Sequence, residues 1–104
     1  MREFRIIFTQ EDNTGVPRPD LAKTVMGKLT RAYGGFTVTE GLGGYILKST
    51  GRLVKEAVYV FDVATAKSPE DVRFFADTLA SAIKAEMGQE SIYFRNVDGR
   101  VTIL

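Results

Sequence analysis

Hydrophobic periodicity along this chain switches between two and about 3.6 residues in a fixed order, and that order constrains the fold more than any other feature. Residues 3–10 alternate, with Phe4, Ile6 and Phe8 on one side and Arg5, Ile7 and Thr9 on the other, as in a strand. Glu11 to Arg18 is a polar loop carrying the turn formers Asp12, Asn13, Gly15 and Pro17, long enough to cover a surface or reach a partner. Pro19 suits the first turn of a helix and Asp20 its positive end. Leu21, Val25, Met26, Leu29 and Tyr33 form its apolar stripe, and Gly34-Gly35 ends it. Phe36 to Glu40 is a second strand, resumed over Tyr45 to Lys48 after Gly41-Leu42-Gly43-Gly44, before a turn at Ser49-Thr50-Gly51. Arg52 to Val63 is a long strand with Ala57, Tyr59, Phe61 and Val63 on one face and Val54, Glu56, Val58 and Val60 on the other. Ser68-Pro69-Glu70-Asp71 starts a helix: serine caps, proline takes the first turn and the acids complement the dipole. Val72, Phe75, Ala76, Leu79, Ile83 and Met87 are its stripe, and Gly88 closes it. Glu90 to Arg95 reads as a strand, Asn96 to Gly99 as a turn, and Arg100 to Leu104 as a short strand pairing back.

The order β-α-β-β-α-β is that of the ferredoxin-like split βαβ arrangement. It predicts an α+β fold over residues 1–104 as a single domain: an antiparallel sheet, two helices on one face, and a short C-terminal hairpin. Both faces of the Arg52–Val63 strand are apolar, so the face turned from the helices leaves apolar area open. Such patches usually mark an interface. A homo-oligomer, packed sheet to sheet, is the expectation.

The chain has no cysteine and no histidine. Disulfides, thiol catalysis, histidine acid–base chemistry and the usual zinc, copper and haem ligand sets are excluded. No cofactor and no metal are expected, although oxygen-only sites pass this test. Fourteen basic and thirteen acidic residues nearly cancel, so no global field draws in nucleic acid or an acidic membrane. The sheet aromatics only loosely imitate a single-stranded RNA platform, and nucleic-acid binding is disfavoured. No signal peptide or membrane span is evident, which points to the cytoplasm.

Three groups are candidate sites. Gly41 to Gly44 places three glycines in four positions, which suggests a strand bulge, a tight turn, a kink or a close backbone approach. A glycine-rich loop can also bare N–H groups to an anion, but neither a Gly-Lys-Ser/Thr element nor a helix start follows. The acids Glu40, Glu56 and Glu90 lie on or beside strands, where they could pair with Lys48, Arg52 or Arg95 or, with raised pKa, act as acid or base. Gln89, Ser91, Tyr93 and Arg95 alternate with Ile92 and Phe94: either one wet strand face or a surface that grips a polar, planar or anionic ligand. The candidate ligand-binding residues are Tyr45, Lys48, Glu56, Gln89, Ser91, Tyr93 and Arg95, and no residue is assigned a catalytic role.

Gly35-Phe36-Thr37-Val38-Thr39-Glu40-Gly41-Leu42-Gly43-Gly44-Tyr45, Gly51-Arg52-Leu53-Val54-Lys55-Glu56 and Gly88-Gln89-Glu90-Ser91-Ile92 together resemble a set of small, largely uncharacterised bacterial and phage-encoded domains. The resemblance implies a ferredoxin-like fold and a phage connection, and it carries no activity. Tyr45 stands where those domains commonly have tryptophan.

Without histidine, cysteine or a strong catalytic motif, binding outranks catalysis. The leading expectation is an oligomeric binding protein that holds a small anionic or nucleotide-like ligand, or a host protein. The alternatives are a cofactor-independent enzyme of the dimeric α+β barrel type, with Glu56 or Glu90 as base and Tyr45, Tyr59 or Arg95 stabilising an oxyanion, and a structural or assembly subunit.

Overall fold

The computed structural model describes residues 1–104. The elements run β1 (Arg2–Thr9), α1 (Pro19–Tyr33), β2 (Thr37–Leu47), β3 (Arg52–Thr65), α2 (Pro69–Met87), β4 (Tyr93–Arg95) and β5 (Val101–Ile103). One antiparallel sheet has the spatial order β2-β3-β1-β4-β5. Its first four strands have the ferredoxin-like arrangement, and β5 extends the far edge. No helix is long and apolar enough to cross a membrane.

The helix signals in the sequence act as read. The Ser68 hydroxyl accepts the Asp71 N–H at 3.2 Å, and Pro69 fills the first turn of α2. Gly34 and Gly88 end the two helices in left-handed conformations, where a side chain would be strained. α1 differs at its start: Arg18 occupies the cap position and makes no side-chain cap.

Register assigns the faces. In an antiparallel pair, residues directly opposite share a face. Val38 faces Phe61, Ile6 faces both Phe61 and Phe94, and Phe8 faces Tyr59. These side chains meet the helix stripes Leu21, Val25, Leu29, Val72, Ala76, Leu79, Ile83 and Met87 in one buried cluster. Aromatic rings set its geometry. Phe8 stacks on Phe61 with centroids 5.6 Å apart and planes 7° from parallel, while Phe4 meets Tyr33 edge-on at 5.1 Å.

The opposite face has no helix over it. Ile7, Val58, Val60 and Tyr93 lie there half-buried, between Thr39 and Gly41 on one side and Val101 and Ile103 on the other. Arg5 donates to both carboxylate oxygens of Asp62 on this face, at 2.7 and 3.0 Å. That pairing holds the guanidinium further toward its charged form.

Two expectations are corrected. β2 runs through Gly41–Gly44 without bulge, kink or turn: pairing stays one-to-one from Thr37–Asp62 to Leu47–Arg52, and none of these glycines has positive φ. The close approach comes instead from Val58, whose two methyls lie 3.4 Å from where Cβ atoms on Gly41 and Gly43 would stand. The last long strand is also shorter than the predicted Glu90–Arg95. Only Tyr93–Arg95 is regular: its pairing with β1 stops at Ile7–Tyr93, two residues before β1 ends at Thr9. Ile92 keeps a reciprocal backbone pair with Leu104.

Phe61 is fully buried and touches the rings of Phe8, Phe36 and Tyr59. Phe61→Ala is expected to lower the unfolding free energy by about 3–5 kcal/mol, read from urea denaturation.

Candidate functional site

β3 outruns β1. Pairing between them stops at Thr9–Val58, while β2 and β3 continue together to the turn after Leu47. The continuation is a two-stranded arm projecting roughly 15–20 Å past the body at the usual strand rise. Where the arm leaves the body, its open face, the end of β1 and the segment after α2 enclose a cleft of about 610 Å³. Thr9, Tyr45, Glu56, Gly88, Gln89, Glu90 and Ser91 line it. A second cleft of about 320 Å³ adjoins it through Thr9, Glu56 and Gln89 and is walled by Glu11, Asp12, Asn13 and Lys55.

Of the sequence candidates, the fold brings Tyr45, Glu56, Gln89 and Ser91 to one cleft. It does not bring the others. Lys48 lies exposed in the turn at the tip of the arm. Tyr93 and Arg95 sit further along the open face, opposite Ile7 and Arg5. The expected pairing of Glu40, Glu56 or Glu90 with Lys48, Arg52 or Arg95 does not form. The ion pairs are Arg5–Asp62, Arg18–Asp20, Arg18–Glu86 and Arg73–Asp77. Register explains this: Glu56 stands opposite Gly43, and Glu40 opposite Tyr59, where it accepts from Gln10 Nε2 at 3.2 Å.

The cleft walls hang on residues the sequence did not single out. Arg18 spans the gap between the polar loop and the end of α2. Its Nη1 donates to the Glu86 carbonyl at 2.9 Å, its Nη2 to Glu86 Oε2 at 3.2 Å, and its Nε to Asp20 Oδ1 at 3.0 Å. These bonds raise the guanidinium's pKa, with Asp20 the larger contributor, and hold the Asp20 carboxyl below its ordinary value. The Asn13 N–H bonds the Met87 carbonyl at 2.8 Å, and the Asn13 side chain fills the place a Cβ on Gly88 would take. Gln10 ties the other end of the loop to the arm: its backbone N–H bonds Ala57 O and its Nε2 bonds Val58 O. Asp12 organises the loop interior, accepting from the Thr14 hydroxyl, the Thr14 N–H and the Val16 N–H through one oxygen. An arginine just before a Pro19-Asp20 helix start was the only signal for this clamp in the sequence, and it names one partner of two.

Chemically, the larger cleft presents two carboxylates, a phenol ring, an amide and two hydroxyls, and no cationic side chain. That lining suits a neutral or cationic guest. A groove of about 410 Å³ between the helices has an apolar floor of Leu21, Val25, Leu79 and Ile83. Arg18, Asp20 and Glu86 at its rim already bond one another.

Neither a scan against protein-family models nor a search of curated proteins gives a match. Among solved structures, the fold is similar to a phage SAM lyase in complex with S-methyl-5'-thioadenosine: TM-score 0.72, 18% identity, covering 98% of this chain and 87% of that one. The apo state of a phage SAM lyase is similar at TM-score 0.68 and 19% identity, covering 98% and 86%. At this identity the likeness shows a shared fold.

Two measurements check the clamp. Arg18→Met should speed exchange of the Asn13 amide by about tenfold or more while leaving amides of β1 and β3 unchanged. Asp12 is held below its ordinary 3.8, first by the Thr14 hydroxyl and then by the Val16 N–H. A lowered carboxyl pKa contributes order that is present above the ordinary value and is lost as pH falls through the lowered one. The Asp12 midpoint followed by NMR should therefore lie below 3.8 and move up in Thr14→Ala.

Proposed function

We propose that this chain binds a nucleoside-like small molecule, neutral or cationic rather than phosphorylated, in the cleft between the arm and residues 88–91. The carrying observation is the lining: Glu56 and Glu90 beside the Tyr45 ring, with no lysine or arginine. A cation over an aromatic ring beside carboxylates is favourable, and a phosphate there would meet like charge. The volume falls within the usual range for small-molecule sites. The fold shared with a protein solved with S-methyl-5'-thioadenosine supports an adenine nucleoside as the guest class, and a sulfonium such as S-adenosylmethionine as the cationic form. Of the anionic or nucleotide-like ligand expected from sequence, this keeps the nucleotide-like part and sets the anionic part aside, because Lys48 and Arg95 are not part of the cleft.

A second reading is a lyase acting on that sulfonium. It is favoured by one observation: the similar fold is that of a phage SAM lyase. The sulfonium C–S bond would break with its electron pair going to sulfur, which leaves as a neutral thioether, while the substrate's own carboxylate forms the new C–O bond and closes a lactone, so no co-reactant is needed. Glu56 and Tyr45 would then face the cationic sulfur, the carboxylate by charge and the ring by its negative face.

Isothermal titration with S-methyl-5'-thioadenosine, S-adenosylmethionine and adenosine monophosphate tests both. The first two should bind, and the monophosphate should bind at least about tenfold more weakly, a difference of about 1.4 kcal/mol. Glu56→Gln should weaken the sulfonium more than the thioether. Equal or tighter binding of the monophosphate overturns the proposal. Release of S-methyl-5'-thioadenosine from S-adenosylmethionine together with the lactone of the remaining carbon chain, before any open-chain water adduct, followed by mass spectrometry and lost in Glu56→Gln, would establish the lyase.

A further inference from the structure

β1 stops before β3 does, and the stop leaves part of β3 with a bare backbone edge. The Gln10 N–H bonds the Ala57 carbonyl at 2.9 Å, which closes the β1–β3 ladder. The chain then turns away, and Glu11 bridges to Pro17 instead. Successive residues of a strand aim their backbone groups at opposite edges. Ala57 aims at β1, so Lys55, two residues earlier, aims its N–H and C=O the same way, into the gap beyond the end of β1. Neither group has a backbone partner there. The ladder to β2 sets Lys55 opposite Gly44 and is carried by the residues on either side of it.

This bare edge is the wall of a cleft. Lys55, Glu56 and Ala57 line the smaller of the two adjoining clefts, about 320 Å³, together with Thr9, Glu11 and Asn13. Thr9, Glu56 and Gln89 belong to both clefts, so the edge stands beside the space that holds Tyr45. An N–H and a C=O side by side on one extended residue complement a planar group that carries an acceptor next to a donor. Adenine has that pair on its outer edge, where N1 accepts and the 6-amino group donates.

We infer that the backbone of Lys55 reads the base of the guest: its N–H donates to N1, and its carbonyl accepts from the 6-amino group. The inference rests on the nucleoside reading of the larger cleft and adds to it a second subsite and a choice among bases. The sugar and sulfur lie at Tyr45 and Glu56, and the base reaches past Glu56 to the Lys55 edge. Hypoxanthine in that place sets an oxygen against the Lys55 carbonyl and an N–H against the Lys55 N–H. Turning the base over restores the pairing but carries the sugar away from Tyr45 and Glu56. A site that hydrogen-bonds a group rejects the analogue lacking it more strongly than an apolar pocket rejects a misfit.

Isothermal titration with S-methyl-5'-thioadenosine and with 5'-methylthioinosine tests this. The inosine form should bind at least about tenfold more weakly. Lys55→Pro deletes the N–H at an edge where the β2 ladder does not use it, a position that tolerates proline. It should lower affinity for S-methyl-5'-thioadenosine by about tenfold. Leu53→Pro deletes the equivalent N–H further out along the arm, lines neither cleft and should leave affinity unchanged. Equal affinity for the two nucleosides overturns the inference and leaves the reading of the larger cleft standing. Equal effects of the two prolines overturn it as well. If circular dichroism shows Lys55→Pro unfolded, the nucleoside pair decides alone. Failure of S-methyl-5'-thioadenosine to bind the wild type overturns the reading of the larger cleft, and this inference with it.

Discussion

Strand β3 is longer than the body it belongs to, and most of the molecule's features follow from that mismatch. Its second half is held from three directions. β1 and β2 pair with it on either side, and the helix stripes cover the face that carries Phe61 and Val63. Its first half has only β2 for company. Cooperative packing in one half fixes the register, and register is rigidly transmitted along a two-stranded ladder. The arm therefore leaves the body in a defined direction with its side chains already sorted between two faces. Tyr45 and Glu56 reach the cleft because Phe61 is locked against Phe8 several residues away.

The cleft shows how a small fold builds a site from loose parts. Strand ends supply Thr9, Tyr45 and Glu56, but the remaining wall is irregular chain after α2. Such chain holds its place only if its polar groups are tied. Here the ties come from across the molecule. Arg18 and Asn13 bond the last carbonyls of α2, which a helix end leaves without internal partners. One set of contacts thus finishes a helix and fixes two walls. Asp12 does the same inside its loop, with three donors on one oxygen. None of these bonds lies among the lining groups proposed to meet a guest.

Much of the fold was legible in the residues. The Ser68-Pro69-Glu70-Asp71 start, the Gly34 and Gly88 stops and the alternation of β1 and β3 act locally, and each has one physical reading. Gly41–Gly44 was not legible. Glycine in a strand has several meanings, and only the register shows that here it makes room for the Val58 methyls. The final strand was misjudged for a related reason. Glu90 to Arg95 has strand alternation, but a strand needs a paired neighbour, and pairing with β1 stops at Ile7–Tyr93. Tyr45, Glu56, Gln89 and Ser91 were found by type and arrive together. Lys48 and Arg95 were chosen by the same reasoning and are carried elsewhere by the length of the arm and the register of β4.

By itself, then, the sequence determined the element order, the identity of the buried faces and the absence of thiol and imidazole chemistry. These depend on residue type and on spacings of a few positions, which any local stretch of chain enforces. Tertiary structure alone decided which candidates share a cleft, which acids remain free of basic partners and which apolar residues have no cover. Those outcomes turn on where strands stop relative to one another. A difference of a few residues between the ends of β1 and β3 is invisible to periodicity, yet it separates a covered sheet from a projecting arm.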